Sequence, residues 1–219
     1  LYHLKNDNGI AYGLPWLESG VAGANHLWKT DPKNSYGAAS DRSNGGVDYL
    51  SLLHVHRFQG GGELRSQARV ANYDRDLRAS AIRFANATLQ PDGAAVTNST
   101  FSDATVLTRG NNNKIQDMQA KYVQSDYSHK FNALGFKHEV LGGIDAAHED
   151  FNNFSATALT KARTTVGTPN DGAGVDESLR VISKNREFTA KGMGVYAQDL
   201  VQIAPMWKLL VGLRWDKFR

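Results

Sequence analysis

Residues 206–219 read MWKLLVGLRWDKFR. Every odd position from Trp207 to Trp215 is large and apolar: Trp207, Leu209, Val211, Leu213 and Trp215. Between them stand Lys208, Leu210, Gly212 and Arg214, so the two faces differ sharply. A period of two is the signature of a β-strand whose faces meet different surroundings. At about 3.4 Å per residue, the two tryptophans are about 27 Å apart along the strand. A tilt of about 35–45° reduces that to about 20 Å along a membrane normal, close to the apolar band of about 25 Å in outer-membrane barrels. Indole suits both ends of such a band, being apolar in its body and polar at its N–H. The same stretch could also line the core of a soluble sandwich, so the rest of the chain must decide.

Six further period-two stretches are legible. Leu1–Lys5 reads as the tail of a strand, and Val47–Phe58, Glu63–Asp76, Lys114–Tyr127, Phe136–His148 and Phe188–Gln202 as full ones, with RASAIRF (78–84) a candidate continuation of the third. Their apolar positions hold small or medium side chains, as in Leu64, Ser66, Ala68 and Val70, or Val140, Gly142, Ile144 and Ala146. A packed core prefers bulk that interdigitates, whereas a face turned to lipid need only be apolar. Opposite faces such as Glu63, Arg65, Gln67 and Arg69 are too charged for a core and suit a wet lumen. Backbone groups in lipid must be paired, which requires the sheet to belong to a closed barrel.

The connections alternate between short and long. The short ones are 59–62 (QGGG), 128–135 (SHKFNALG) and 203–206 (IAPM); the long ones are about 6–46, 85–113 and 149–187. In an antiparallel meander, alternate connections share one rim. Unstructured loops longer than about 12–15 residues are uncommon in compact soluble domains. Barrels of the outer membrane combine short periplasmic turns with long extracellular loops. The fold expected is all-β: an antiparallel, up-and-down transmembrane barrel segment of about seven strands, with no internal domain boundary.

Composition agrees and excludes several classes. Of 219 residues, 41% are hydrophobic and 21% charged, the net charge is +3, and there is no cysteine. Mean hydropathy is −0.46, and no apolar run reaches the roughly 18 residues that a membrane-spanning helix needs. A disulfide framework and a cysteine-ligated zinc site are excluded. The charge is too mild to indicate a nucleic-acid partner. No nucleophile elbow, phosphate-binding loop or zinc-protease motif occurs, so nothing points to an enzyme.

The segment GMGVYAQDLVQIAPMWKLLVGLRWDKF, residues 192–218, resembles the mid-barrel of TonB-dependent ferric-siderophore receptors. There G-V-Y-x-Q-D leads through a short turn to W-x-x-L-x-G-x-R-x-D. Gly194, Val195, Tyr196, Gln198 and Asp199 match the first part, and Trp207, Leu210, Gly212, Arg214 and Asp216 the second. GLPWL, NSYGAASDRSNGGVDYLSLLHVHRF, LRSQARVANYDRDL and FKHEVLGGID are also similar to that family, in its catecholate and hydroxamate branches alike. The resemblance implies a 22-stranded barrel around a plug, in the bacterial outer membrane, of which this chain would supply about a third. It further implies a ferric siderophore as ligand, with no cofactor held by the protein itself, and energy from the TonB complex through the plug region. The plug, its TonB-contacting box and the terminal aromatic strand are not found in the chain.

Ferric siderophores are bulky, often anionic chelates, suited to aromatic faces and basic groups on long loops. Tyr12, Trp16, Trp28 and Tyr36 are the exposed loop aromatics expected to contact ligand, with Arg42 and Lys29 as charge partners; Trp16 and Tyr36 could instead pack the loop. Trp207, Leu209, Val211, Leu213 and Trp215 are expected to face membrane lipid. His54 and His56 share a strand face at metal-binding spacing but lack a third ligand, and no metal site is expected. In IDAAHED, Asp145 and His148 differ in parity and should face apart. Arg65, Arg69, Asp117 and Lys121 are expected to line the lumen, with Asp126 at different parity. A passive porin-like channel, a soluble β-sandwich binding module and a barrel lipase remain the competing readings.

Overall fold

The computed structural model of the protein describes residues 1–10, 13–18 and 25–219. Among them are eight strands: β1 (Tyr2–Asn8), β2 (Arg42–Arg57), β3 (Glu63–Phe84), β4 (Val106–Ala133), β5 (Phe136–Ala156), β6 (Thr164–Thr165), β7 (Ile182–Ala204) and β8 (Trp207–Phe218). They form one antiparallel sheet in the order β1-β2-β3-β4-β5-β7-β8, and β6 pairs with the upper end of β4. Each strand apart from β6 therefore lies beside its sequence neighbours, which is the up-and-down topology expected. The sheet is a wall, not a closed barrel.

The strands are longer than their alternation suggested. β4 runs for 28 residues and β3 for 22. Most of the extra length lies at the long-loop end, in stretches such as RGNNNK (109–114), where polar residues occupy both faces. Alternation reports a difference between the two environments. Where both sides of the sheet meet water or loop, pairing continues without that signal. The connections shrink accordingly to residues 9–41, 85–105 and 157–181, all at one end. At the other end, Leu134 and Gly135 form a two-residue hairpin with φ of 53° and 80°. Positive φ at both centres is the geometry that matches strand twist. Pro205 and Met206 join β7 to β8.

Residues paired across an antiparallel ladder point to the same face, so the register defines two faces. On the outer one lie the rows Leu52–Ala68–Val123–Ala146 and Ser125–Ile144–Val195–Trp215. Ala197–Leu213 and Val201–Leu209 continue it downward. No second layer covers this face among the described residues: Leu213 is 82% exposed, Trp207 72% and Val211 59%. Near the short turns it carries a band of rings in contact, running from His56 and Phe58 through Tyr127, His129 and Phe131 to His138.

The inner face is polar and internally paired. Arg69 lies 4.7 Å over the Tyr49 ring, and Tyr122 donates to Glu149. Tyr196 donates to Asp126, and Arg214 binds Asp145 at 2.8 Å and Asp216 at 2.6 Å. Glycine permits one close approach here: a Cβ on Gly143 would come within 2.5 Å of the Tyr196 ring. Register corrects one expectation. Arg65 stands opposite Asp126 and Arg69 opposite Tyr122, so Asp117 and Lys121 belong to the other face, while Asp126 joins the arginines. Parity orders the residues within a strand, but only pairing relates one strand's parity to the next.

Candidate functional site

The long connections meet above the sheet and pack into a platform. Its core is Trp28, Tyr36, Ile82, Leu107 and Val166, with Leu14, Phe84 and Phe101 against it. Trp28 contacts Tyr36 edge-on at 6.1 Å and lies 5.5 Å and 5.4 Å from Phe84 and Phe101. The Tyr36 hydroxyl donates to the Val166 carbonyl at 2.9 Å, tying the first long connection to the third. Ser80, Ile82, Leu107 and Arg109 share the parity of the outer face, so these connections fold onto the extended strands beyond the apolar band.

Buried charge holds the platform to those strands. Lys161 donates to Asp41 and to the Ser80 hydroxyl, each at 2.9 Å, with the Lys161 side chain 1% exposed and that of Asp41 4%. Asp41 also accepts from the Ser80 and Ala38 backbone N–H groups. A buried ion pair survives when the remaining lone pairs are used, as they are here. Arg109 donates to the carbonyls of Tyr36 and Ala162 and to Asp171 at 2.7 Å. Arg42 and Arg78 share Asp76, while Arg78 and Arg180 share Glu177. The Arg180 hydrogen bonds, assisted by Arg78, outweigh burial and pull the Glu177 carboxyl down to about 2. Burial would raise Asp171, but Arg109 brings it below its usual value.

The aromatic residues singled out in the sequence fare differently. Trp16 is exposed, and Lys29 likewise. Trp28 and Tyr36 are 6% and 2% exposed, which corrects their description as exposed loop aromatics: in this platform they are the core. Connections this long need apolar burial to hold one conformation, and these two rings supply it. Tyr12 lies outside the described residues. Arg42 is held by Asp76 at 2.9 Å. Pairing along β5 leaves Asp145 on the inner face with Arg214 and His148 on the outer face with Asp150. His54 and His56 stack on the outer face with ring centroids 6.4 Å apart. Among the described residues no group of three His, Asp or Glu side chains could hold a metal ion.

A one-layered sheet with a polar inner face, an uncovered apolar outer face and a loop platform at one end is the form of a barrel wall. The family model for the TonB-dependent receptor-like β-barrel matches residues 2–219. The chain belongs to the TonB-dependent receptor β-barrel family. Its curated relatives include the catecholate siderophore receptor Fiu of Escherichia coli strain UTI89, 26% identical over 220 residues, and that of strain K12, 25% identical. In each case the alignment covers 99% of this chain and 28% of the relative, so the chain spans under a third of their length. Two crystal structures of the E. coli K12 ferric-catecholate import receptor Fiu, an open and a closed form, superpose with TM-scores of 0.80 at 20% identity. They cover 99% of this chain and 33% and 30% of theirs, and at that identity they speak for the fold. These TonB-dependent receptor relatives are receptors and importers by name, and none is an enzyme.

Proposed function

We propose that the chain forms part of the wall and mouth of an outer-membrane receptor that binds a ferric siderophore and imports it by TonB-dependent active transport. The observation that carries this reading is the division of the sheet. One face is apolar and uncovered, the other is charged and paired, and every long connection rises from one end. Lipid is the solvent that satisfies the first face, through Trp207, Leu209, Val211, Leu213 and Trp215, with the ring band at the lower interface. The platform end faces outward and the tight turns face the periplasm. Ligand is caught at the platform, where Trp16 and Lys29 are exposed. The TonB complex is engaged through a plug region of the whole receptor. The relatives' names support an Fe(III) catecholate as the chelate carried. The protein needs no cofactor of its own, since iron arrives as cargo.

Uptake of radioactive iron presented as a ferric siderophore, in cells expressing the whole receptor, tests this directly. Uptake should depend on the receptor and stop when TonB is deleted; accumulation that persists without TonB would place the protein among passive channels.

A further inference from the structure

Between residues 108 and 114 no described strand pairs with the far edge of β4, because β5 begins its pairing at Ile115 and β6 reaches only Val106 and Leu107. The gap is bordered by the segment 158–163 and kept open by short bridges. The Asn111 amide donates to the Leu159 carbonyl at 2.8 Å, and Arg109 donates to that of Ala162 at 3.1 Å. What remains is a polar hollow of about 550 Å³ beside Arg83, Thr108, Asn111, Thr160 and Arg163. That is within the range of about 300–1,000 Å³ that accepts a drug-sized ligand.

The charges around this hollow are unbalanced. Arg109 and Lys161 also border it, but each is neutralised by a carboxylate, Arg109 by Asp171 and Lys161 by the buried Asp41. The guanidinium groups of Arg83 and Arg163 have no ion pair or side-chain hydrogen bond among the described residues, and no carboxylate lines the hollow. Arg83 stands opposite Thr108 in the ladder, at the parity of Arg65 and Arg69, so it projects on the inner side of the sheet, at the mouth. Two free cations with two hydroxyls, on a surface closed to counter-charge from the protein, form a seat for an anion of appreciable size.

We propose that this hollow, with Arg83 and Arg163 as its charged groups, is the subsite that takes the negatively charged catecholate lobe of the ferric chelate. The inference rests on the import function proposed above and specifies where its ligand is recognised. Three dianionic catecholates around Fe(III) leave a trianion, whereas three hydroxamates leave a neutral complex. The subsite therefore distinguishes the two by charge, and none of the loop aromatics is needed for that distinction.

The test uses the whole receptor in TonB-deficient outer membranes, so that binding is read without transport. The probes are a radioactive-iron tris-catecholate and a neutral ferric trihydroxamate. Arg83→Ala combined with Arg163→Ala should weaken tris-catecholate binding by about tenfold or more, while Arg83→Lys with Arg163→Lys retains most of it, because a point charge suffices for a delocalised anion. With the wild-type receptor, affinity for the trianion should fall as salt rises, since exposed charges are screened. Double-alanine receptor within about twofold of wild type, or affinity insensitive to salt, overturns the subsite and leaves the import function standing. Wild-type receptor that binds neither chelate overturns both.

Discussion

The sheet wall and the loop platform solve the problem of burial in opposite ways. In the wall the large apolar residues are exposed, as Leu213, Val211 and Ile144 are, and the buried ones are small, such as Ala71 and Ala120. In the platform Trp28, Tyr36 and Leu107 are buried around a core of their own, and carboxylates neutralise the enclosed cations Arg109 and Lys161. In the reading proposed above, the wall borrows its apolar partner from the bilayer, whereas the platform, standing in water, must make one. This difference teaches where each kind of interaction is effective: an apolar face left open to its surroundings below, directed ion pairs and ring contacts above.

Removing the central buried cation should break the platform first. Lys161→Ala leaves Asp41 enclosed without its partner, a change that costs about 3–5 kcal/mol in comparable buried pairs. Hydrogen exchange of the purified receptor should show residues 35–41 and 157–166 losing protection while the amides of β3–β5 below them stay protected. Loss spread evenly over the sheet would show that platform and wall are a single cooperative unit.

The converse substitution acts on the wall alone. Leu213 lies on the outer face opposite Ala197, away from any carboxylate of that row. Leu213→Arg should destabilise the barrel by about 2–4 kcal/mol, as a charge near the bilayer midplane does. Equilibrium unfolding in lipid vesicles measures it. A neutral result would mean that the outer face meets protein or water instead of acyl chains.

Acid sharpens the comparison with a smaller effect. Glu177 has a folded value near 2, below its ordinary 4.5, so its pairing with Arg180 and Arg78 is fully effective above pH 4.5. Its contribution declines as pH falls below 4.5 and is gone below about 2. The amount at stake is on the order of 2–3 kcal/mol. Limited proteolysis should therefore cut the 157–181 connection more readily at pH 3 than at pH 6, and Glu177→Gln should flatten that dependence. Equal cutting at both pH values would remove Glu177 from the forces that hold this connection.

Much of the wall was legible because alternation along one strand is a local property. Trp207, Leu209, Val211, Leu213 and Trp215 announce a two-faced strand without reference to anything else, and the strict exchange of short and long connections places the loops at one end. The resemblance of residues 192–218 to the receptor family was equally local, and the family model extends it over the chain. The upper half of β4 left no such trace, because water or loop on both sides removes the contrast that alternation records, whereas RASAIRF hinted at the continuation of β3. Lumen-facing residues were assigned wrongly at Asp117 and Lys121, since face identity passes between strands only through register.

The platform belongs to tertiary structure entirely. An aromatic residue in a polar connection reads the same whether it awaits a ligand or fills a core, and the packing of Trp28 and Tyr36 against Ile82, Leu107 and Val166 is what separates the two. Lys161 finds Asp41 across 120 residues of chain, and Arg83 and Arg163 line one hollow at a gap in strand pairing, neither of which has a periodic signature. Sequence by itself determined what can be repeated at short range: strand, face and the alternation of turns and loops. Which distant charges neutralise one another, and which are left free to meet an anion, was decided only when the long connections folded together.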